Sequence, residues 1–347
     1  MPFRAVSFRA APILTTRRQF LCQITSAAAF GVSGCVPDMM AAGPVTVSAV
    51  LPSPPGYDPV LLAVTNRNLV KGGIKTPWFG HERSPTTTLA KVVFSRPDTT
   101  LVGRAKSSWN GLWTIKSVSP EPHAPLETLQ ELAAGKDILL YIHGFKESFE
   151  SVSINAMELT EGTAFSGLPM VFSWPSRAAL FDYGYDRESA LISRDSLEET
   201  LVALLAGNGA RRVHIVAHSM GTLLTIETLR QMWARHGDSM AGRIGAIVLA
   251  SADMDIDLFT NAVQRLRSLV PKITVISSTS DRALEVSRRL AGGVSRTGGA
   301  TREQLEGLGV KVVDATDHGG WALVKHDLFL SDPEVRMVVR RSIERAT

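Results

Sequence analysis

Cysteine is almost absent from this chain of 347 residues, since Cys22 and Cys35 are the only two. The sequence after position 35 has none, which excludes an internal disulfide, a thiolate nucleophile and a cysteine-ligated metal. The fold must therefore depend on packing. Hydrophobic residues make up 44% of the sequence, and a chain of this length buries a large share of its surface on folding.

Acidic residues are missing from the first 35 positions, which contain Arg4, Arg9, Arg17 and Arg18. These four arginines carry the whole formal net charge of +4, so the remaining chain is electrically balanced. A basic protein often binds nucleic acid. Here the excess charge belongs to an N-terminal segment, so we expect no nucleic-acid partner.

Motifs for common cofactors are also missing. The sequence has neither a phosphate-binding glycine loop nor a dinucleotide fingerprint. Residues 253–257 resemble the start of a calcium loop, but the glycine and the glutamate that complete such a loop are absent. We therefore expect no cofactor and no bound metal.

Residues 1–35 have the pattern of an export signal. Residues 16–21 (Thr-Arg-Arg-Gln-Phe-Leu) resemble a twin-arginine signal, and the apolar stretch that follows is too short to span a bilayer of about 30 Å. Residues 32–35 (Val-Ser-Gly-Cys) resemble a bacterial lipobox, in which the cysteine is lipidated. The alternative is an incidental Cys35 near a signal-peptidase site at residues 41–43.

This N-terminal pattern predicts a protein that is handed to the export machinery and then anchored to a membrane through a lipid on Cys35. The expected location is the periplasm or the cell envelope. Residues 36–53 are rich in proline, glycine, alanine and serine, which predicts a flexible tether. Residues 54–347 are predicted to form a single domain.

Short apolar runs alternate with helical patterns from residue 137 onward. The runs are rich in valine and isoleucine, as in strands buried on both faces of a parallel sheet: 138–142, 170–172, 213–216, 244–249, 273–276 and 310–313. Helices are predicted over 186–206 and 221–236, and a last one begins at 331. This alternation predicts an α/β protein with a mostly parallel central sheet and helices on both faces.

The sequence Ala-His-Ser-Met-Gly at 217–221 lies between a predicted strand and a predicted helix. A serine flanked by small residues two positions away is typical of a nucleophile elbow in an α/β-hydrolase fold. The pattern predicts Ser219 as a nucleophile, with Ala217 in place of the usual glycine at some cost in strain. The alternative is a serine that caps an ordinary helix.

Backbone N–H groups are predicted to stabilise a developing oxyanion. The strand 138–142 continues into His143, Gly144 and Phe145, where this fold supplies its first oxyanion-hole donor. The predicted donors are the N–H groups of Phe145 and Met220. A simple strand-ending turn is the alternative interpretation of residues 143–144.

A serine hydroxyl needs a histidine base and a carboxylate that orients it, in the chain order serine, acid, histidine. Asp281 follows the predicted strand 273–276 and is the favoured acid, with Asp253 as the alternative. His326 is the favoured base, and His318 is the alternative.

Several segments resemble a family of uncharacterised bacterial α/β hydrolases, described as esterase/lipase superfamily proteins of unknown function. They are 65–67 (Thr-Asn-Arg), 79–84 (Phe-Gly-His-Glu-Arg-Ser), 172–176 (Phe-Ser-Trp-Pro-Ser), 185–190 (Tyr-Asp-Arg-Glu-Ser-Ala), 217–221 and 280–284 (Ser-Asp-Arg-Ala-Leu). The resemblance implies an α/β-hydrolase fold with Ser219, Asp281 and His326 as its triad. One departure is Lys-His-Asp at 325–327, where the family has a Gly-His-Ser-like sequence.

These features predict a serine hydrolase that forms an acyl-enzyme. The expected reaction is carboxylester hydrolysis, and the expected substrate is a small-molecule or lipid-like ester. The alternative is a non-catalytic binding or scaffold protein of the cell envelope, because a fold does not determine a function.

Overall fold

The computed structural model describes residues 58–70, 77–96, 113–122, 124, 126–177, 179, 182–318 and 326–347. The predicted export signal (1–35), the predicted tether (36–53) and the lipidation site Cys35 lie outside this part of the chain. Within it, no helix is both long enough and apolar enough to cross a membrane.

Nine strands among the described residues form one sheet, in the spatial order β3-β2-β1-β5-β4-β6-β7-β8-β9. Their bounds are β1 (Val60–Leu69), β2 (Phe79–Ser95), β3 (Thr114–Glu121), β4 (Asp137–Ile142), β5 (Leu168–Ser173), β6 (Arg212–His218), β7 (Ile244–Ala250), β8 (Ile273–Ser277) and β9 (Lys311–Asp314). The β1–β2 and β2–β3 pairs are antiparallel. All other pairs are parallel, which confirms the mostly parallel sheet.

The burial of each strand depends on whether helices cover one face of the sheet or both. Every residue of β4, β5, β7 and β8 is buried, as expected where helices cover both faces. In the antiparallel β2, residues alternate between buried and partly exposed along the C-terminal half, so only one face of that segment meets the core.

Helices lie on both faces of the sheet, as predicted. Their bounds are α1 (Leu126–Ala133), α2 (Phe149–Gly162), α3 (Tyr183–Ile192), α4 (Arg194–Leu205), α5 (Met220–His236), α6 (Ile256–Leu266), α7 (Arg282–Leu290), α8 (Arg302–Glu306), α9 (Leu328–Ser331) and α10 (Pro333–Glu344). One apolar cluster joins the sheet to α1, α4, α5 and α6. A second cluster joins the opposite face to α2, α9 and α10.

The single helix predicted over 186–206 is wrong, because α3 and α4 are separated at Ser193. The Ser193 hydroxyl donates to the Ser189 carbonyl at 2.7 Å and accepts from Asn66 Nδ2 at 2.9 Å. A serine that bonds back to the preceding turn tends to bend a helix. Here it also ties the bend to β1.

The carboxyl ends of the parallel strands meet at one edge of the sheet, where this class of fold places its ligands. The segments that leave this edge carry the predicted nucleophile, oxyanion donors and acids: 143–148 after β4, 219–220 after β6, 251–255 after β7 and 278–281 after β8. The two candidate bases, His318 and His326, follow β9.

Candidate active site

Ser219 occupies a sharp bend between β6 and α5. Its φ of +50° and ψ of −122° are unusual for a residue with a side chain. Such a conformation costs on the order of 1–3 kcal/mol and persists only where surrounding contacts enforce it. The Ser219 N–H donates to the Ala250 carbonyl at 2.9 Å, and the Ser219 carbonyl accepts from Asp253 N–H at 3.2 Å and from Thr222 Oγ1 at 2.6 Å.

Small residues are required on the α5 side of this bend. A Cβ added to Gly221 would lie 2.3 Å from the His143 carbonyl oxygen and 2.6 Å from that of Ile142. Both neighbours are backbone atoms, so they cannot move aside cheaply. On the β6 side, the methyl group of Ala217 is accommodated and fully buried.

Asp281 and His326 are in direct contact. Asp281 caps the N-terminus of α7 and accepts the N–H groups of Ala283 at 2.9 Å and Leu284 at 3.3 Å on Oδ1. Its other oxygen, Oδ2, lies 2.8 Å from His326 Nδ1. The carboxylate therefore caps a helix and orients the imidazole at the same time.

The backbone of His326 is held beside the serine bend. Its carbonyl oxygen lies 3.2 Å from Nε2 of His218, the residue before Ser219, and accepts from Ser251 Oγ at 3.0 Å. The His218 and His326 rings also pack together, with centroids 4.7 Å apart. Three predicted residues, Ser219, Asp281 and His326, are thus gathered at one place on the sheet edge.

The contact between Asp281 and His326 shifts the pKa of both groups. Burial lowers the pKa of His326, but the hydrogen bond and charge of Asp281, together with Asp327, raise it more, so the net pKa lies above 6.5. Burial raises the pKa of Asp281, but the hydrogen bond and charge of His326 lower it more, so the net pKa lies below 3.8. The arrangement favours an ionised carboxylate beside a basic imidazole.

The alternative acid, Asp253, has other partners. It forms a buried ion pair with Arg296, with Nε and Oδ1 3.1 Å apart. It also accepts hydrogen bonds from Tyr183 Oη at 3.1 Å and from Ser287 Oγ. Its carboxylate is thus engaged with these groups rather than with an imidazole ring.

The alternative base, His318, faces a different part of the surface. Its Nδ1 lies 3.7 Å from an Asp332 oxygen and 3.5 Å from a Glu334 oxygen at the start of α10. The geometry therefore favours His326 as the partner of Asp281.

The two predicted oxyanion donors flank the serine bend. Met220 is the first residue of α5, and Phe145 follows the end of β4. The intervening Gly144 passes directly over the bend, since a Cβ added there would lie 2.8 Å from Ser219 Cβ. Within the described ranges, neither Phe145 N–H nor Met220 N–H donates to a backbone carbonyl.

Sequence reasoning assigned no role to several buried polar residues near this edge. Arg67, Ser176 and Asp186 are each at most 1% exposed and contact the segment that follows β4. The one available signal was a charged residue inside the apolar strand β1. Arg67 is that residue.

The fold and this constellation of side chains define the chain as an α/β hydrolase. The family model for alpha/beta hydrolases of unknown function (DUF900) matches residues 123–342, so the chain belongs to this family. No curated protein matches the chain.

Solved structures with a similar fold include hydrolases and esterases. A dienelactone hydrolase from Anabaena variabilis has 12% identity and a TM-score of 0.40, covering 76% of this chain and 93% of that chain. Esterases from the fungus Rhizomucor miehei have 13% identity and a TM-score of 0.34, covering 85% and 84%. A hyperthermophilic esterase from Pyrobaculum calidifontis has 14% identity and a TM-score of 0.35, covering 75% and 79%. Identities this low do not indicate a substrate.

Proposed function

We propose that this protein is a serine hydrolase that cleaves carboxylic esters of small or lipid-like molecules. The observation that carries the proposal is the strained bend at Ser219 beside the Asp281–His326 pair. Ser219 exposes only 4% of its surface, so an ester must reach its hydroxyl between the surrounding segments.

The first half of the reaction forms an acyl-enzyme. Ser219 Oγ attacks the ester carbonyl carbon while its proton passes to Nε2 of His326, the ring nitrogen that does not face Asp281. The carbonyl electron pair moves onto oxygen, and the N–H groups of Phe145 and Met220 stabilise this oxyanion. The bond to the leaving alkoxide then breaks, and the alkoxide takes the proton from His326.

The second half releases the acid. Water attacks the carbonyl carbon of the acyl-enzyme and gives a proton to His326. The product of this attack is a second tetrahedral intermediate. Cleavage of the bond to Ser219 returns the proton to the serine oxygen and frees the carboxylic acid. Asp281 keeps the imidazole in one tautomer and stabilises its charged form throughout.

An ester panel tests this function directly. Purified protein is incubated with p-nitrophenyl esters of increasing acyl length and, separately, with an alkyl fluorophosphonate that phosphonylates activated serines. We expect ester turnover and labelling at Ser219. A chain that hydrolyses none of the esters and stays unlabelled would instead fit a non-catalytic binding or scaffold protein.

The rate of hydrolysis is expected to rise with pH, since only neutral His326 accepts the serine proton. Because Asp281 raises the pKa of His326, the midpoint of kcat/KM should lie above 6.5. Asp281→Asn should move the midpoint to lower pH. Burial lowers the pKa of His326, and in this variant the charge of Asp281 no longer opposes that effect. The measurement is kcat/KM against pH, from about 5 to 9.

Asp253→Asn is the matched control for this pH profile, since the charge of Asp253 raises the pKa of His326 less than that of Asp281 does. We expect a smaller displacement of the midpoint than for Asp281→Asn. A larger displacement would identify Asp253 as the orienting acid instead.

We also propose that residues 1–35 direct export and that Cys35 is lipidated and anchors the protein in the cell envelope. The motifs at 16–21 and 32–35 support this. In cells fed a labelled fatty acid, the protein should incorporate the label and sediment with membranes, and Cys35→Ser should do neither. An unlabelled parent protein would favour cleavage at residues 41–43 without lipidation.

A further inference from the structure

The segment between β4 and α2 contains an unfavourable backbone conformation that contacts from other residues must stabilise. Lys146 has a φ of +66°, a value that residues with side chains rarely adopt. A residue in that region stays there only when its surroundings determine the conformation. Phe145, the proposed oxyanion donor, immediately precedes it, so whatever holds Lys146 also orients the Phe145 peptide.

Asp186 of α3 is one of the groups that hold this segment. Its carboxylate is fully buried and accepts Lys146 N–H on Oδ2 at 3.4 Å and Arg177 N–H on Oδ1 at 2.9 Å. It also accepts a hydrogen bond from the hydroxyl of Ser176. That hydroxyl in turn accepts Glu147 N–H at 3.2 Å. Two consecutive N–H groups of the segment are therefore bound through one carboxylate.

Arg67 of β1 holds the same segment from the other side. Its Nη2 donates to the Glu147 carbonyl at 2.8 Å, Nη1 to the Ser176 carbonyl at 3.1 Å, and Nε to Ser173 Oγ at 2.8 Å. Burial lowers the pKa of Arg67 to about 10, and the charge of Asp186 opposes this effect. The guanidinium therefore stays protonated near neutral pH and can act as a donor.

Among residues 145–147, these contacts occupy two of the three backbone N–H groups. Lys146 N–H is bound by Asp186, Glu147 N–H by Ser176 and the Glu147 carbonyl by Arg67. Within the described ranges, Phe145 N–H has no such backbone acceptor. It lies one residue after Gly144, which packs on Ser219.

We propose that Asp186, together with Ser176 and Arg67, is a positioning residue that fixes the Phe145 N–H over Ser219 for oxyanion binding. This inference rests on the hydrolase function proposed above. The three side chains act through the segment at 145–147 and make no contact with the reacting atoms. They come from three separate parts of the chain, so the oxyanion hole depends on how β1, the end of β5 and α3 pack together.

Asp186→Asn and Ser176→Ala each weaken this positioning in a different way. An asparagine has one acceptor oxygen and an NH₂ group that only donates, so it cannot accept both the Lys146 N–H and the Arg177 N–H as Asp186 does. Ser176→Ala removes the hydroxyl that links Glu147 N–H to Asp186 and is the milder change. The matched control is Asp137→Asn, at the opposite end of β4, where the carboxylate is bound to Arg211 instead.

The experiment measures the second-order rate of Ser219 labelling by an alkyl fluorophosphonate, whose phosphoryl oxygen occupies the oxyanion hole. It also measures kcat and KM for a p-nitrophenyl ester, and the thermal unfolding midpoint. We expect Asp186→Asn to lower the labelling rate and kcat by about 10- to 100-fold, with KM changed less than about threefold. Ser176→Ala should show a smaller loss of the same kind, and Asp137→Asn should retain the parent rates.

The outcomes separate this inference from the function on which it rests. Folded Asp186→Asn and Ser176→Ala proteins that label and turn over at the parent rates would overturn the positioning role and leave the hydrolase intact. If these variants have a lower thermal unfolding midpoint but unchanged labelling and turnover rates, the contacts of Asp186, Ser176 and Arg67 stabilise the fold without positioning the oxyanion donor. If Asp186→Asn does not fold, the labelling rate and kcat of Ser176→Ala decide whether the positioning role holds. A parent protein that is not labelled at Ser219 would overturn the proposed function, and the positioning role with it.

Discussion

Replacing Ser219 with alanine is expected to lower kcat for ester hydrolysis by about 10⁴- to 10⁶-fold and to abolish labelling by fluorophosphonates. The reason is that no acyl-enzyme can form without the hydroxyl, and only binding and the oxyanion donors remain. The fold should survive. The bend is held by backbone bonds to Ala250 and Asp253 and by the Thr222 hydroxyl, and alanine keeps the backbone groups that form all three.

Ser153→Ala is a suitable control for Ser219→Ala. Ser153 is also buried, but its hydroxyl donates to the Phe149 carbonyl inside α2, far along the chain from the serine bend. We expect it to keep the parent turnover and labelling. Undiminished turnover in Ser219→Ala would exclude Ser219 as the nucleophile and leave the proposed mechanism without its first step.

Replacing His326 with alanine is expected to reduce kcat by a similar factor, about 10⁴- to 10⁶-fold, because nothing else would take the serine proton. The backbone carbonyl that accepts from Ser251 remains in the variant. Added imidazole should restore part of the activity if the loss comes from the missing base. Steady-state rates with and without imidazole provide the measurement.

His318→Ala is the control that the sequence itself suggests, since both histidines follow the last strand. His318 lies beside Asp332 and Glu334 at the start of α10, so its removal should leave kcat within about twofold of the parent value. An inactive His318→Ala protein together with an active His326→Ala protein would reverse the assignment of the base.

Local sequence was sufficient to predict the serine bend. A buried strand, a serine between small residues and a helix follow one another in the chain, so the tight turn could be predicted without knowledge of other segments. The parallel strands were predictable for a similar reason, because burial on both faces requires nearly uninterrupted apolar runs. The break at Ser193 was not, since it depends on Asn66 in β1.

The residues favoured Asp281 as the acid and His326 as the base but did not exclude Asp253 or His318. Asp253 and Asp281 both follow late strands, and each also caps or precedes a helix. What separates them is where distant segments fold: Arg296 meets Asp253, whereas His326 meets Asp281. Sequence spacing does not determine which of these contacts forms.

The sequence by itself determined the class of fold and the position of the serine bend, because both follow from periodicity and turn chemistry over short stretches of chain. Only the tertiary structure decided which carboxylate faces His326 and which buried groups hold the segment after β4. Those pairings join residues far apart in the chain, such as Arg67, Ser176 and Asp186, and depend on the packing of whole strands and helices.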